Sequence, residues 1–251
     1  MKIKFTGTGD GHGIPAVGCQ CQRCSLAREK GGKNRRRTVS VIVKNESDTI
    51  LFDTPSSIGQ VLNEEKIFHL SAIFLSHKHF DHIGGITVFE YWPEKILVYG
   101  NMSVLGNFEI TDRLYNNCEF HVLHERKSVK INDIRVKPFS VSHKVPTFGL
   151  IFKEDEKRIV HFNDKAGTKL DDYEKRLVKI SNMVVFHTPG FDGGTDHLDV
   201  LSVMDIAKRN PSTQFVITHI GHNNLSHEDL VKKLKPYENI IVAYDGLEIE
   251  V

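Results

Sequence analysis

One segment constrains this chain more than any other: Ser76-His77-Lys78-His79-Phe80-Asp81-His82. Three imidazoles and one carboxylate fall within the six residues from His77 to His82. The apolar run Leu70-Ser71-Ala72-Ile73-Phe74-Leu75 precedes it, and Gly84-Gly85 follows. That is the pattern of a buried strand ending in a loop that presents His-x-His-x-Asp-His. Imidazole nitrogen and carboxylate oxygen ligate Zn, Mn or Fe. A single tetrahedral ion cannot use all four groups of so tight a loop together with the further candidates below, whereas two neighbouring ions can. A loop of solvated histidines is the weaker reading, because this density at a strand end is rare.

At 251 residues, with 39% apolar and 26% charged side chains, the chain can bury a sizeable core. It reads as one metallo-hydrolase domain over residues 1–251, with a fused pair of related halves as the alternative. A net charge of +1 argues against electrostatic binding of nucleic acid by the whole chain. The opening Met1-Lys2-Ile3-Lys4-Phe5-Thr6-Gly7 has no long apolar stretch, and no run approaches membrane-spanning length, so a cytoplasmic location and no membrane partner are expected.

Strands are expected at residues 2–6, about 38–45, 49–53, 70–75, 182–186 and 213–218, with helices at about 56–64, 169–179, 198–209 and 226–236. A short helix is expected over Ile83–Tyr91, a helical piece near 103–109, and two short strands at the end of the chain. Strands in clusters with a few helices between them are compatible with an α/β fold, an αββα sandwich of two mixed sheets with helices outside. The loop Gly7-Thr8-Gly9-Asp10-Gly11-His12-Gly13 superficially resembles a phosphate-binding turn. It lacks both a Walker lysine and a following amphipathic helix, so tight turns under a metal site explain its glycines as well.

Three more candidates each end an apolar, strand-like run: His143 after 136–142, Asp164 after 158–163, and His219 after 215–218. Alone, each is more often a satisfied polar group. Beside the histidine loop they complete a donor count. One cation can take His77, His79 and His143, and another Asp81, His82 and His219. Asp164, with two oxygens, can bridge them. Two cations about 3.5–4 Å apart lower the pKa of a water between them and polarise a phosphoryl or carbonyl oxygen, which favours hydrolysis.

This ordered set, His77-x-His79-x-Asp81-His82, then His143, Asp164 and His219, resembles the metallo-β-lactamase superfamily of dinuclear hydrolases over nearly the whole chain. The division of ligands matches that family's pattern, and the resemblance implies the sandwich fold.

Cys19-Gln20-Cys21-Gln22-Arg23-Cys24 offers three thiolates, and a closed structural zinc site needs four ligands. His222, three residues past His219, is a good fourth, and such a knot would tie the N-terminal loop to the C-terminal strand. Reduced or redox-active free thiols are the alternative. Cys118 reads as a small buried apolar residue.

The Gly-Thr-Gly loop, Ile14-Pro15, the three cysteines, Arg35-Arg36-Arg37, Thr218-His219-Ile220-Gly221-His222 and Tyr244-Asp245-Gly246-Leu247-Glu248-Ile249 together resemble the PhnP-type phosphodiesterases. That resemblance implies hydrolysis of small, cyclic phosphate diesters, two divalent metals (Zn or Mn) beside one structural Zn, and a homodimer. It implies His197 as general acid, with Asp81 the other catalytic residue. A helix cap is the competing role for the stretch before His197, through Thr195 or Asp196.

Arg35–Arg37 read as an attractor for an anionic substrate or, more commonly, as a solvated face. Asp53 is either support for a ligand histidine or a helix cap. His12 reads as a turn residue. His69, His121, His124, His161, His187 and His227 read as structural, with His187, at a strand end, the first to reconsider. Rival functions are a tRNA 3′-processing nuclease, a pyrroloquinoline-quinone biosynthesis-type protein and, outside enzymes, a zinc-stabilised binding module. Such nucleases need a long basic arm to hold tRNA, and none is evident in this sequence.

Overall fold

The computed structural model describes residues 1–193 and 196–251. In chain order it begins with β1 (Lys2–Gly7), α1 (Gln22–Lys30), β2 (Ser40–Lys44), β3 (Thr49–Phe52), α2 (Ile58–Glu64), β4 (Ala72–Leu75) and α3 (Phe80–Ile83). It continues with β5 (Ile96–Gly100), α4 (Met102–Leu105), α5 (Asp112–Asn117), β6 (Cys118–Val122), β7 (Val129–Ile131), β8 (Ile134–Val141), β9 (Thr147–Glu154) and β10 (Lys157–His161). Then follow α6 (Asp172–Lys179), β11 (Met183–His187), α7 (Val200–Arg209), β12 (Gln214–Thr218), α8 (His227–Leu234), β13 (Ile240–Val242) and β14 (Leu247–Glu250).

The strands form two seven-stranded sheets, ordered β14-β1-β2-β3-β4-β5-β6 and β13-β12-β11-β10-β9-β8-β7. Both are mixed. β3 to β6 run parallel, as do β10 to β13, while the remaining neighbours are antiparallel. β4 shows why its sequence is apolar at every position. Ala72 and Phe74 face the core between the sheets, whereas Ile73 and Leu75 face the helices outside. A strand covered on both faces reads as a continuous apolar run because successive side chains point to opposite sides.

Three apolar layers result. Phe5, Val41 and Phe52 of one sheet meet Val136, Phe152 and Val185 of the other, and the Phe52 and Phe152 rings pack edge-on at 6.2 Å. Outside the first sheet, Leu51, Ile73 and Val98 pack with Val61, Leu62 and Leu114. Outside the second, Val184, Phe215 and Ile217 pack with Leu177, Val203 and Leu230. Helix, sheet, sheet, helix is the αββα arrangement of the metallo-β-lactamase fold.

Local signals set the helix starts. α6 opens with a capping box, Asp171 accepting from the Glu174 amide and Glu174 accepting from the Asp171 amide. α7 is capped by Asp199, which accepts from the Ser202 amide at 2.8 Å. Asp196 instead meets the Lys144 amine at 2.7 Å, so it is not the cap, and Thr195 lies outside the described residues.

Other boundaries differ from expectation. The helix expected over Ile83–Tyr91 divides into α3 and a 3-10 turn at Ile86–Tyr91. The break falls at Gly84-Gly85, where a Cβ on Gly85 would collide with the Pro55 carbonyl. The helical piece near 103–109 is the shorter α4, and α5 follows it behind a Thr111 cap. α1 lies outside the expected elements because it has no apolar stripe; its buried residues are Cys24 and Ala27 alone. Among the described residues no helix is long and apolar enough to cross a membrane.

Candidate metal centre

The chemistry-bearing residues leave from one edge of the sandwich, at the ends of β3, β4, β8, β10, β11 and β12. Rigid, doubly buried strands hold such ends with little freedom. Past β4, the loop carries His77 to the buried edge, and His79 precedes the single turn α3, which returns Asp81 and His82 to the same place.

His77 Nε2 lies 2.9 Å from His79 Nδ1, and His143 Nε2 lies 3.2 Å from that same Nδ1. Asp164 Oδ2 is 3.3 Å from His77 Nε2 and 3.7 Å from His143 Nε2. Burial lowers the pKa of His77, and it pushes His143 down to about 4. Both are therefore neutral imidazoles near pH 7, the form that offers a lone pair to a cation.

The second set stands beside the first. Asp81 Oδ2 is 3.4 Å from His82 Nε2 and 3.5 Å from His219 Nε2. Asp164 Oδ2 is 3.4 Å from His82 Nε2. Burial opposes ionisation of Asp81, yet the His219 and His82 imidazoles outweigh it and hold the carboxyl well below its usual range. Burial likewise disfavours the His82 imidazolium, but Asp164 and Asp53 overcome it and raise that pKa well above normal. His82 Nε2 and both ring nitrogens of His219 are buried without a hydrogen bond among the described residues. Orphaned buried nitrogens beside two carboxylates are what a divalent cation would satisfy, so the donor set fits such ions.

The structure groups His77, His79, His143 and Asp164 as one set able to hold an ion, and His82, Asp164, His187 and His219 as another. His187, expected to be structural, is part of the second set. Its Nδ1 lies 2.6 Å from Asp164 Oδ1, and its ring stacks on His219 at 4.6 Å. This refines the expected bridge. Oδ1 of Asp164 is engaged by His187, which leaves Oδ2 facing both donor sets. The available signal was the same one used for His143 and His219, an apolar strand ending in histidine.

Asp53, left open between two roles, supports His82 rather than a helix. It accepts from the Ser76 amide at 2.8 Å, the Ser76 hydroxyl at 2.9 Å and Asn163 Nδ2 at 3.0 Å, and it meets His82 Nδ1 at 2.7 Å. With Nδ1–H donated there, Nε2 of His82 is the nitrogen turned to Asp81 and Asp164, and a cation bound there would take the place of its proton. Asp53, Asn163 and His219 all adopt left-handed backbone, with φ of 66°, 56° and 56°. Such conformations disfavour non-glycine residues and concentrate at functional sites. Asp53→Asn is expected to weaken metal retention by about 10–100-fold, the usual loss for such an orienting partner; titration with a competing chelator checks it.

His197 Nδ1 lies 3.7 Å from Asp164 Oδ1, and its ring centroid is 5.5 Å from that of His143. This nitrogen has no hydrogen-bond partner among the described residues. His197 lines a pocket of about 260 Å³ together with Asp10, His79, Asp81, Lys144 and Asp164. His12, read as a turn residue, is exposed and forms one rim of that pocket.

Apart from this centre, His222 Nδ1 faces three sulfurs: Cys19 at 3.3 Å, Cys21 at 3.6 Å and Cys24 at 3.6 Å. All three thiols are free. The Cys24 backbone lowers the Cys21 thiol to about 6, whereas burial raises Cys24 to about 11. A three-sulfur, one-nitrogen set is the closed tetrahedral shell zinc takes in structural sites. It joins the start of α1 to the loop after β12. Cys118 is buried in the apolar layer outside the first sheet.

Fold and donor geometry together define a metallo-hydrolase-type centre on an αββα frame. The chain belongs to the metallo-β-lactamase superfamily: the model of the β-lactamase superfamily domain matches residues 48–220. It is 26% identical over 263 residues to an octanoyltransferase of Porphyromonas gingivalis, covering 99% of this chain and 51% of that protein. It is 30% identical over 136 residues to a ribonuclease Z of Thermococcus gammatolerans, covering 49% of this chain and 43% of that one. The chain thus spans about half the length of these curated relatives. Among solved structures, a diphosphatase of the PhnP family superposes with a TM-score of 0.85 at 21% identity, over 100% of this chain and 97% of the other. Zn(2+)-bound PqqB from Methylobacterium extorquens superposes at 0.84 and 17% identity, over the whole of both chains.

Proposed function

We propose that this protein hydrolyses small phosphate diesters, cyclic ones foremost. The observation that carries the reading is Asp164 Oδ2 lying between two donor sets, 3.3 Å from His77 and 3.4 Å from His82. His77, His79, His143 and Asp164 would hold one divalent cation, and Asp81, His82, His219 and Asp164 the other. Ions held there would acidify a water and draw charge from a phosphoryl oxygen.

The chain's own residues supply the rest. Hydrolysis of a cyclic diester adds water to phosphorus and breaks one P–O ester bond, and the departing alkoxide must collect a proton. His197, at the pocket wall and with its Nδ1 free of hydrogen bonds among the described residues, is placed to give it. Lys144 lines the mouth paired with Asp196 at 2.7 Å, so an anionic substrate would have to draw the amine from that carboxylate. Resemblance to the PhnP-type enzymes supports the proposed reaction.

A substrate panel tests this reading: ribosyl 1,2-cyclic phosphate, 2′,3′-cyclic nucleotides, an aryl phosphodiester, precursor tRNA and an acyl thioester. The highest kcat/KM is expected on a cyclic diester. Turnover confined to tRNA or to the thioester would replace the proposal with the corresponding rival.

A further inference from the structure

The segment that carries His197 is tied down on both sides of that residue. Ahead of it, the Asp196 carboxylate meets the Lys144 amine at 2.7 Å, and both side chains are exposed. Behind it, the Leu198 amide donates to the Lys165 carbonyl at 2.8 Å, and the Leu198 side chain is buried. An exposed ion pair is screened by solvent and holds a chain weakly. The contact to Lys165 is therefore the stronger restraint on where His197 stands in the pocket.

Lys165 follows Asp164 directly, in a turn that also reaches the first donor set. The Ala166 amide donates to the Ser142 carbonyl at 2.6 Å, and Ser142 precedes His143. One short turn thus joins Asp164, the residue before His143 and the residue after His197. The turn has its own anchor. The Lys165 side chain is turned inward and buried, with Nζ donating to the Ala166 carbonyl at 3.0 Å and standing 3.6 Å from Glu174 Oε2. Glu174 is buried as well, and the same Oε2 accepts the Asp171 amide at 2.8 Å at the start of α6. Among the described residues neither charge has another ion-pair partner. Taking an ammonium and a carboxylate out of water is costly, and an apolar pair of similar size often holds a fold as well. Stability alone is a weak reason for this pair, and a fixed direction for the turn is a stronger one.

We infer that Lys165, locked by Glu174, is a positioning residue for His197: its carbonyl sets the segment bearing the general acid, and its buried side chain keeps that carbonyl in place. Neither Lys165 nor Glu174 lines the pocket at the metal centre, so neither touches substrate. The inference rests on the proposed reaction for what His197 does, and on the geometry alone for how His197 is held. A general acid works only within hydrogen-bond reach of the oxygen it protonates, and a shift of about 1 Å can cost about 10²-fold in rate.

The test compares the metal-loaded full chain with its Lys165→Met/Glu174→Leu variant, which replaces the ion pair by apolar side chains and leaves no buried charge unpaired. Glu174→Gln, which keeps the shape and removes the charge, is read in the same way and guards against a folding defect in the double variant. Hydrogen exchange at the Leu198 amide, followed by NMR, needs no substrate. It is expected to quicken by about tenfold or more while the amides of β12 keep their rates, the mark of a local rather than a global opening. On 2′,3′-cyclic AMP kcat is expected to fall by about 10–100-fold, with KM and metal content near wild type. The aryl diester, whose leaving group needs no proton, should be turned over almost as before. Unchanged exchange at Leu198 overturns the inference, and so does faster exchange with full turnover of the cyclic diester. Equal losses on both diesters also overturn it, because they report a general loosening of the site. If the unaltered protein turns over neither diester, the proposed reaction fails, and exchange at Leu198 still decides whether the buried pair holds the His197 segment.

Discussion

His197→Ala should lower turnover of a cyclic phosphodiester by about 10²–10⁴, the range by which a positioned general acid contributes. His197 faces the pocket 3.7 Å from Asp164 Oδ1, yet its Nδ1 has no hydrogen-bond partner among the described residues. Its removal therefore leaves both donor sets in place, and metal content should match wild type. The discriminating measurement is kcat/KM on two substrates of different leaving group. An alkoxide departs only when protonated, whereas an aryl oxide departs largely unaided, so the loss on the aryl diester should be far smaller. Equal losses on both would show that His197 shapes the pocket rather than delivering a proton.

The second large effect is expected at the thiolate knot. Cys24→Ala removes the buried sulfur of the set and leaves Cys19, Cys21 and His222 to hold an ion as an incomplete shell. Binding that favours the folded state stabilises it by mass action, so loss of the ion lowers stability directly. With about 3 kcal/mol lost, Tm should fall by about 6–12 °C for a chain of this size. Thermal unfolding with metal analysis on the same samples checks it: one metal equivalent should disappear while the remainder stays. An unchanged Tm with unchanged metal content would reduce the cluster to free thiols.

Much of the fold was legible because strands buried on both faces write long apolar runs, and β4, β11 and β12 each end in a polar group that chemistry can use. The order of those ends, His77 to His82, His143, Asp164 and His219, was readable without coordinates. Their distances were not, since nothing local brings β10 and β12 together. His187 was missed for a related reason. It carries the same strand-end signal as His219, but only the parallel pairing of β11 with β12 sets it against Asp164. The role of Asp53 was undecidable from sequence, because an aspartate after a strand serves a cap or a histidine equally well. α1 was invisible since a helix anchored through one sulfur and one methyl needs no amphipathic stripe. The basic run looked uniform on paper, yet Arg36 is buried against Thr8 and the Ala243 carbonyl, Arg37 faces Glu64 and Asp245, and Arg35 is exposed.

The claim on which the rest depends is that two cations share Asp164 while a third sits in the sulfur cluster. Elemental analysis of the purified protein, repeated on Asp164→Ala, tests it most directly. About three divalent equivalents per chain are predicted, falling to about one in the variant as the paired centre is lost and the knot retained. A single equivalent in the unaltered protein, unmoved by the Asp164 substitution, would contradict the account.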